Sequence, residues 1–299
     1  MNKVRCSVHL ASAYQNGIRG QGIVIAIVDT GLTPHPDYCS RIVGWYDALH
    51  GKKEPYDDNG HGSHVGGIAA GNGSLSKGMY RGIAPEANLV GVKVLNEKGN
   101  GTIADIMAGL QWILRNQERM RIRIVNISIG TNDQKAFQED CAFVRKVNQL
   151  WDSGIVVIAA AGNKGPDPFS ISAPGNSRKI ITVGSYDSES GEHNPGGISR
   201  SGVGPTLSCI KKPDVVAPGS QIVSCCPPGN GRAYFYSKKS GTSMSTPIVS
   251  GSIALLLSKY PSMTPREVKI RLKNSSTDLH LPHERQGWGF LHIDKLVSL

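Results

Sequence analysis

Short runs of apolar and β-branched residues recur along the chain, separated by stretches with a helical rhythm. Ile23–Val28, Asn88–Lys93, Ile124–Ser128, Ile155–Ala160, Ile180–Val183 and Ile222–Ser224 are almost continuously apolar. That is the character of strands buried on both faces of a parallel sheet. Between them, helices are predicted at His64–Ala70, Ile103–Asn116, Phe137–Trp151, Ser243–Tyr260 and Pro265–Asn274. In the second of these, Ile103, Ile106, Met107, Leu110, Ile113 and Leu114 fall on one face at spacings of three, four and seven. Thr264-Pro265-Arg266-Glu267 reads as a helix start, with Thr264 as cap, Pro265 first and Glu267 reaching back. Alternating strands and helices imply an α/β fold: a single doubly wound domain with a mostly parallel central sheet and helices on both faces. No internal repeat, low-complexity segment or long linker divides the chain, so residues 1–299 are expected to form one domain with its core from about residue 22 to about 291.

The longest apolar stretches fall far short of the roughly 18 residues that a membrane-spanning helix needs, so no membrane is expected as partner. Nor does a charged segment lead into an apolar one at Met1–Leu10, as a secretory signal would. Lys and Arg number 33 against 23 Asp and Glu, a formal charge of +10. The basic residues are dispersed in short pairs such as Lys52–Lys53 and Lys211–Lys212, aromatics make up only 6%, and no nucleic-acid-binding motif is present. A solvated basic surface is therefore expected, without a nucleic-acid partner. Six scattered cysteines, with no CxxC pair, are too few for a disulfide scaffold at this length. They point to free thiols in the cytoplasm, with a secreted chain whose leader and propeptide were removed as the alternative.

Three segments place polar groups where a fold alone gains nothing from them. Val28-Asp29-Thr30-Gly31 ends a buried strand in a carboxylate, followed by a glycine that permits a sharp turn. Strand C-termini line the ligand crevice of open parallel sheets, although Asp29 is also a plausible turn residue. Asn59-Gly60-His61-Gly62-Ser63-His64-Val65-Gly66-Gly67 opens a helix that carries Gly62, Gly66, Gly67 and Gly71. Each interior glycine costs about 0.5–1 kcal/mol relative to alanine, so something must approach this helix closely. No set of metal ligands is completed by His61 and His64, and a histidine base is the better reading. Ser240-Gly241-Thr242-Ser243-Met244-Ser245-Thr246-Pro247 crowds small residues at the entry of an apolar helix. There a hydroxyl is exposed beside unpaired backbone N–H groups, and Ser243 is alternatively an ordinary cap. Pro247 is expected to cost little so near the helix start.

A carboxylate, an imidazole and a hydroxyl thus follow one another as Asp29, His61 and Ser243, the chain order known for subtilisin. The segments VDTG, DDNGHGSHVGGIAAG, AAAGN and SGTSMSTP resemble the four signature segments of the subtilase family of serine proteases. The resemblance runs from about Gly22 to about Leu291. YRGIAPEANLVGVKVL, GNGTIADIMAGLQWI and PDVVAPG further resemble its intracellular, AprX-like branch.

The resemblance implies a serine endopeptidase, with Ser243 as nucleophile, His61 as general base and then acid, and Asp29 as its orienter. It implies that Asn163 gives a side-chain N–H to the oxyanion beside the backbone N–H of Ser243, and that His64 is structural. Peptide or protein substrates would lie as an extended strand between Gly99-Asn100-Gly101 and Ser128-Ile129-Gly130. The pocket for the residue before the cut would be walled by Ser128–Gly130, Ala160, Ala161, Gly162 and the segment from Ser172 to Gly175. Lys164, at its rim, is expected to disfavour basic residues there and to tolerate acidic ones; a solvated lysine of little effect is the alternative.

No cofactor is implied for catalysis, and no metal ligand is assigned. Structural calcium is known in the family, and Asp37 matches a contributing position. The partner loop Asn72–Arg81 carries no carboxylate and two cations, which disfavours a hard cation. Asp57 and Asp58 are either an acidic patch or part of the active-site rim. A propeptide domain is not expected, since about 20 residues precede the first strand. The alternatives to a general endopeptidase are a processing protease dedicated to one partner and a catalytically silent binding scaffold. All readings of activity require the carboxylate, ring and hydroxyl to touch in a row.

Overall fold

A computed structural model describes residues 1–130, 141–186, 200–228 and 236–298. Its centre is a seven-stranded sheet of β1 (Val24–Asp29), β2 (Ile42–Asp47), β3 (Asn88–Lys93), β4 (Ile122–Ile127), β5 (Val156–Ala160), β6 (Ile181–Ser185) and β7 (Val215–Ala217), in the order β2-β3-β1-β4-β5-β6-β7. Every neighbouring pair in this sheet is parallel. All residues of β1 are buried, and they divide between two cores by the strand period of two. Ile25 and Ile27 pack on one side with α3 (His61–Ala70) and α6 (Thr242–Lys259). Val24, Ala26 and Val28 pack on the other with α4 (Ile103–Met120) and α5 (Ala142–Asp152). Covering both faces is what permits the near-continuous apolar runs, and the doubly wound α/β expectation agrees with this architecture.

Capping behaves as the local sequence dictates. Thr264 accepts from Glu267 N at the start of α7 (Pro265–Ser275), and Thr102 and Asp105 form the same reciprocal box at the start of α4. The remaining short helices are α1 (Asn2–Ser7), α2 (Ala11–Gln15), α8 (His283–Gln286) and α9 (Ile293–Ser298).

Several expectations are corrected. Ile222–Ser224 is not part of the parallel sheet: β8 (Ile222–Cys225) forms an antiparallel pair with β9 (Tyr236–Lys239). A short apolar run reports burial and not the direction of its neighbour. The third helix starts at His61 rather than His64. The helix predicted from Phe137 begins outside the described residues and is seen as Ala142–Asp152. Pro247 is the sixth residue of α6, beyond the unpaired first turn, so its ring removes an intrahelical bond to the Ser243 carbonyl.

The glycines of α3 have the close neighbours that their cost implied. A Cβ on Gly67 would lie 2.4 Å from Ser224 Oγ and 2.7 Å from Cys225 Sγ, because β8 crosses the helix there. A Cβ on Gly62 would lie 2.1 Å from the Gly31 carbonyl oxygen and 3.1 Å from Asp29 Cβ. The turn after β1 is thereby pressed against the first turn of α3. Gly62→Ala is expected to destabilise the fold by about 1–3 kcal/mol through overpacking against backbone, despite the gain in helix propensity of about 1 kcal/mol. Urea unfolding measures this; a midpoint equal to or above that of the native chain contradicts the contact.

Candidate active site

Asp29 closes β1 and is fully buried. Its Oδ1 accepts the Thr30 N–H at 2.7 Å and lies 2.7 Å from His61 Nδ1. Among the described residues its Oδ2 has no hydrogen-bond partner. An ionised carboxylate accepts only, so Nδ1 of a neutral His61 carries the proton and Nε2 is the free base. Burial lowers the affinity of the ring for a second proton, but the charge and hydrogen bond of Asp29 more than offset this and raise the pKa above the ordinary 6.5. Lys239 works against the shift and Asp57 with it.

A knot of hydrogen bonds holds the strand end against the helix start. Thr30 Oγ1 donates to Asp57 Oδ1 at 2.9 Å and accepts from Gly62 N at 2.9 Å. Asp57 also accepts from Asn59 N at 3.1 Å, Gly60 N at 2.8 Å and Ser63 N at 2.8 Å. Together with Asn59 Oδ1, which accepts from His61 N at 3.1 Å, these acceptors satisfy first-turn N–H groups of α3. Asp57 is therefore a buried clamp on the helix that carries His61. Asp58 pairs instead with Lys93, whose buried Nζ donates to Asp58 Oδ1 at 2.6 Å, the Thr30 carbonyl at 2.6 Å and the Leu95 carbonyl at 2.8 Å. Sequence reading singled out neither Thr30 nor Lys93. A lysine ending an otherwise apolar strand was the available signal.

Ser243 is the second residue of α6, after Gly241 in a conformation with φ of 134°. Its backbone N–H lies in the first turn, where no intrahelical acceptor exists. Its hydroxyl donates to the Ser128 carbonyl at 2.8 Å, and no hydrogen bond joins it to His61. The expected row of carboxylate, ring and hydroxyl is therefore formed over its first link and open at its second. Asn163 Oδ1 accepts from Thr242 N at 3.0 Å and Thr242 Oγ1 at 3.1 Å. Those bonds fix its oxygen toward α6 and leave the NH₂ end of this exposed side chain as a donor.

His61 opens onto a cleft of about 520 Å³ whose lining includes Gly99, Asn100, Gly101, Ser128, Ile129 and Gly130. Leu95, Ile103, Ile106 and Phe143 give it an apolar flank that sequence reading did not assign to the site. Ala160, Ala161, Gly162, Lys164 and Ser172 are not in that lining. Ser172 joins the two groups: its Oγ would be 2.7 Å from a Cβ on Gly130 and 2.4 Å from one on Gly162. Its N–H also donates to the Ala161 carbonyl at 3.0 Å. Ala160 and Ala161 are buried, and Lys164 is exposed on the loop after Asn163.

His64 is turned away from the cleft. Its Nε2 lies 3.1 Å from both the Ile222 and the Ser237 carbonyl oxygens, bridging α3 to the β8–β9 hairpin. Burial pushes its pKa down to about 3. Asp37, also fully buried, receives donors on both oxygens. Ser74 Oγ and Leu75 N donate to Oδ1, each at 3.1 Å, while Tyr236 Oη (2.9 Å) and Cys225 Sγ (3.6 Å) donate to Oδ2.

Residues 20–289 match the model of the subtilase family. The chain belongs to that family. It is 44% identical over 287 residues to the serine protease AprX of Bacillus subtilis (strain 168), in a match covering 90% of this chain and 64% of that protein. It is 35% identical over 273 residues to subtilisin Savinase of Lederbergia lenta, covering 91% and 90% respectively. A solved structure described as a cold-adapted subtilisin-like serine proteinase superposes with a TM-score of 0.73 at 29% identity, over 92% of this chain and 89% of that one. No helix among the described residues is long and apolar enough to cross a membrane.

The two histidines of α3 therefore differ in titration. In a proton-detected NMR titration, the His61 ring is expected to gain its second proton on acidification at a pH above 6.5. His64 is expected to stay neutral down to about pH 3. A His61 midpoint at or below 6.5, or a His64 midpoint near it, contradicts these environments.

Proposed function

We propose that the chain hydrolyses peptide bonds through an acyl-enzyme formed on Ser243, with His61 as general base and Asp29 as its orienter. The observation that carries this reading is the 2.7 Å pairing of a fully buried Asp29 with His61 on the wall of a cleft bounded by Ser128. Enzyme class follows from family membership: this is a subtilisin-like serine endopeptidase, whose catalytic chemistry needs no cofactor.

An extended substrate strand docks between residues 99–101 and 128–130, its backbone held by strand addition. A substrate N–H that takes the Ser128 carbonyl competes with the Ser243 hydroxyl for that acceptor. Released, the hydroxyl turns to His61 Nε2, which removes its proton as Oγ attacks the substrate carbonyl carbon. The developing oxyanion accepts from Ser243 N–H and Asn163 Nδ2, donors already in place before charge develops. His61 then gives its proton to the leaving amine, and water resolves the ester by the same route in reverse. Burial of Asp29 serves this sequence by stabilising the imidazolium in a medium of low dielectric.

Substrates are peptides or proteins, and neither a nucleic acid nor a membrane is needed as partner. Residues 1–299 act as one catalytic domain. None of the six cysteines is in a disulfide among the described residues, which supports a cytoplasmic location. Calcium at Asp37 is not supported by its surroundings: four hydrogen donors face the carboxylate, where a hard cation wants further oxygen acceptors. Lys164, exposed beside Asn163, disfavours basic residues before the cut and tolerates acidic ones.

On peptide substrates, Ser243→Ala is expected to reduce hydrolysis to background. Asn163→Ala is expected to lower kcat by roughly 10²–10³ with little change in KM, the loss known for the equivalent amide in subtilisin itself. A loss confined to KM contradicts the oxyanion role, and a preference for Lys or Arg before the cut contradicts the role of Lys164.

A further inference from the structure

Behind α3, on the side away from the cleft, three side chains that share no motif come together. His35 and Asp37 follow β1, and Cys225 ends β8, so the cluster closes a loop of 188 residues between Asp37 and Cys225. All three are buried. One ring nitrogen of His35, a carboxylate oxygen of Asp37 and Cys225 Sγ lie within 4.8 Å of one another. Cys225 Sγ is 3.6 Å from Asp37 Oδ2, and His35 Nδ1 is 4.0 Å from Asp37 Oδ1. Tetrahedral zinc with bonds of about 2.0–2.3 Å separates its ligands by about 3.3–3.7 Å. These edges run to the two oxygens of one carboxylate, and the set as a whole, within 4.8 Å, closes by at most about 1.5 Å to reach that separation.

We propose that His35, Asp37 and Cys225 form a binding site for zinc or another borderline-soft divalent transition metal. The donor chemistry selects this class: one imidazole nitrogen, one carboxylate oxygen and one thiolate suit zinc and not calcium. His35 Nδ1 accepts from the Asp37 backbone N–H at 3.1 Å, so this nitrogen carries a lone pair and no proton. The metal takes over that lone pair from the amide. Asp37 and the Cys225 thiolate together supply two negative charges, which balance the dication. The thiol proton now shared with Asp37 leaves to solvent on binding, so affinity rises with pH.

An outer layer is already built. Tyr236 Oη and Leu75 N hold the two carboxylate oxygens in place, as outer partners do at protein metal sites. The rings of Tyr38 and Tyr236 pack against His35 with centroids 5.7 and 5.4 Å away. Because Cys225 rests on Gly67 of α3, an ion here would tie the segment after β1 to the hairpin and to the helix that carries His61.

Cobalt(II) titration of the full chain tests the site independently of its protease activity. The expected result is a thiolate-to-cobalt charge-transfer band in the near ultraviolet that saturates at one ion per chain and is displaced by zinc. Cys225→Ser and His35→Gln should remove the band, and Cys226→Ser should keep it. X-ray absorption at the zinc edge of the loaded native chain covers the case in which a variant fails to fold, and should show one sulfur scatterer with lighter ligands. No band with the native chain, a band that survives Cys225→Ser, or a zinc edge without sulfur would each overturn the proposal.

Discussion

The structure around the site depends on one burial: a carboxylate placed at the end of a strand that water does not reach. Isolated in an apolar core, Asp29 would cost several kcal/mol or take up a proton. That cost is offset here by the Thr30 N–H and the His61 ring, which meet the same oxygen, both at 2.7 Å. Everything nearby serves that approach. Gly62 lets α3 come within contact of the turn after β1, and Asp57 and Thr30 lock the helix start in register with the strand end. A fixed negative charge behind the ring is then available to stabilise an imidazolium without reorganisation.

The second constraint is the way in which α3 and α6 meet at the C-terminal edge of the sheet. Residues Thr242–Leu257 of α6 are buried almost without exception, so this helix runs through the core rather than over it. Its first turn emerges beside β4, where Ser243 finds the Ser128 carbonyl. Ser243, the proposed nucleophile, thus sits on a rigid element while its hydroxyl rests on the segment that is proposed to receive substrate. In the proposed mechanism, a backbone acceptor shared between substrate and Ser243 couples binding to activation through a side-chain torsion.

Much of this was legible in the amino-acid sequence because buried parallel strands leave apolar runs and because helix glycines are costly enough to demand a reason. What stayed hidden has physical causes. β2, Ile42–Asp47, is a half-exposed edge strand whose Gly44, Trp45 and Tyr46 break the apolar run. β7 has only three residues, and β9, Tyr-Ser-Lys-Lys, is polar because it pairs with a single neighbour. The direction in which Ser243 points is a rotamer choice that no pattern of residue types encodes. Lys93 looked like a strand end, yet its buried amine joins Asp58 to two backbone carbonyls. The meeting of His35, Asp37 and Cys225 joins segments so distant in the chain that only the folded topology reveals it.

The central claim is that the buried Asp29 carboxylate makes His61 an effective base for Ser243. The rate of covalent labelling by a fluorophosphonate, followed by mass spectrometry in the native chain and in Asp29→Asn, tests it most directly. The account predicts modification at Ser243 in the native chain and a rate in Asp29→Asn lower by on the order of 10⁴, the scale of loss on removing this aspartate in subtilisin itself. Equal labelling rates in the two proteins, or label on another residue, would contradict it.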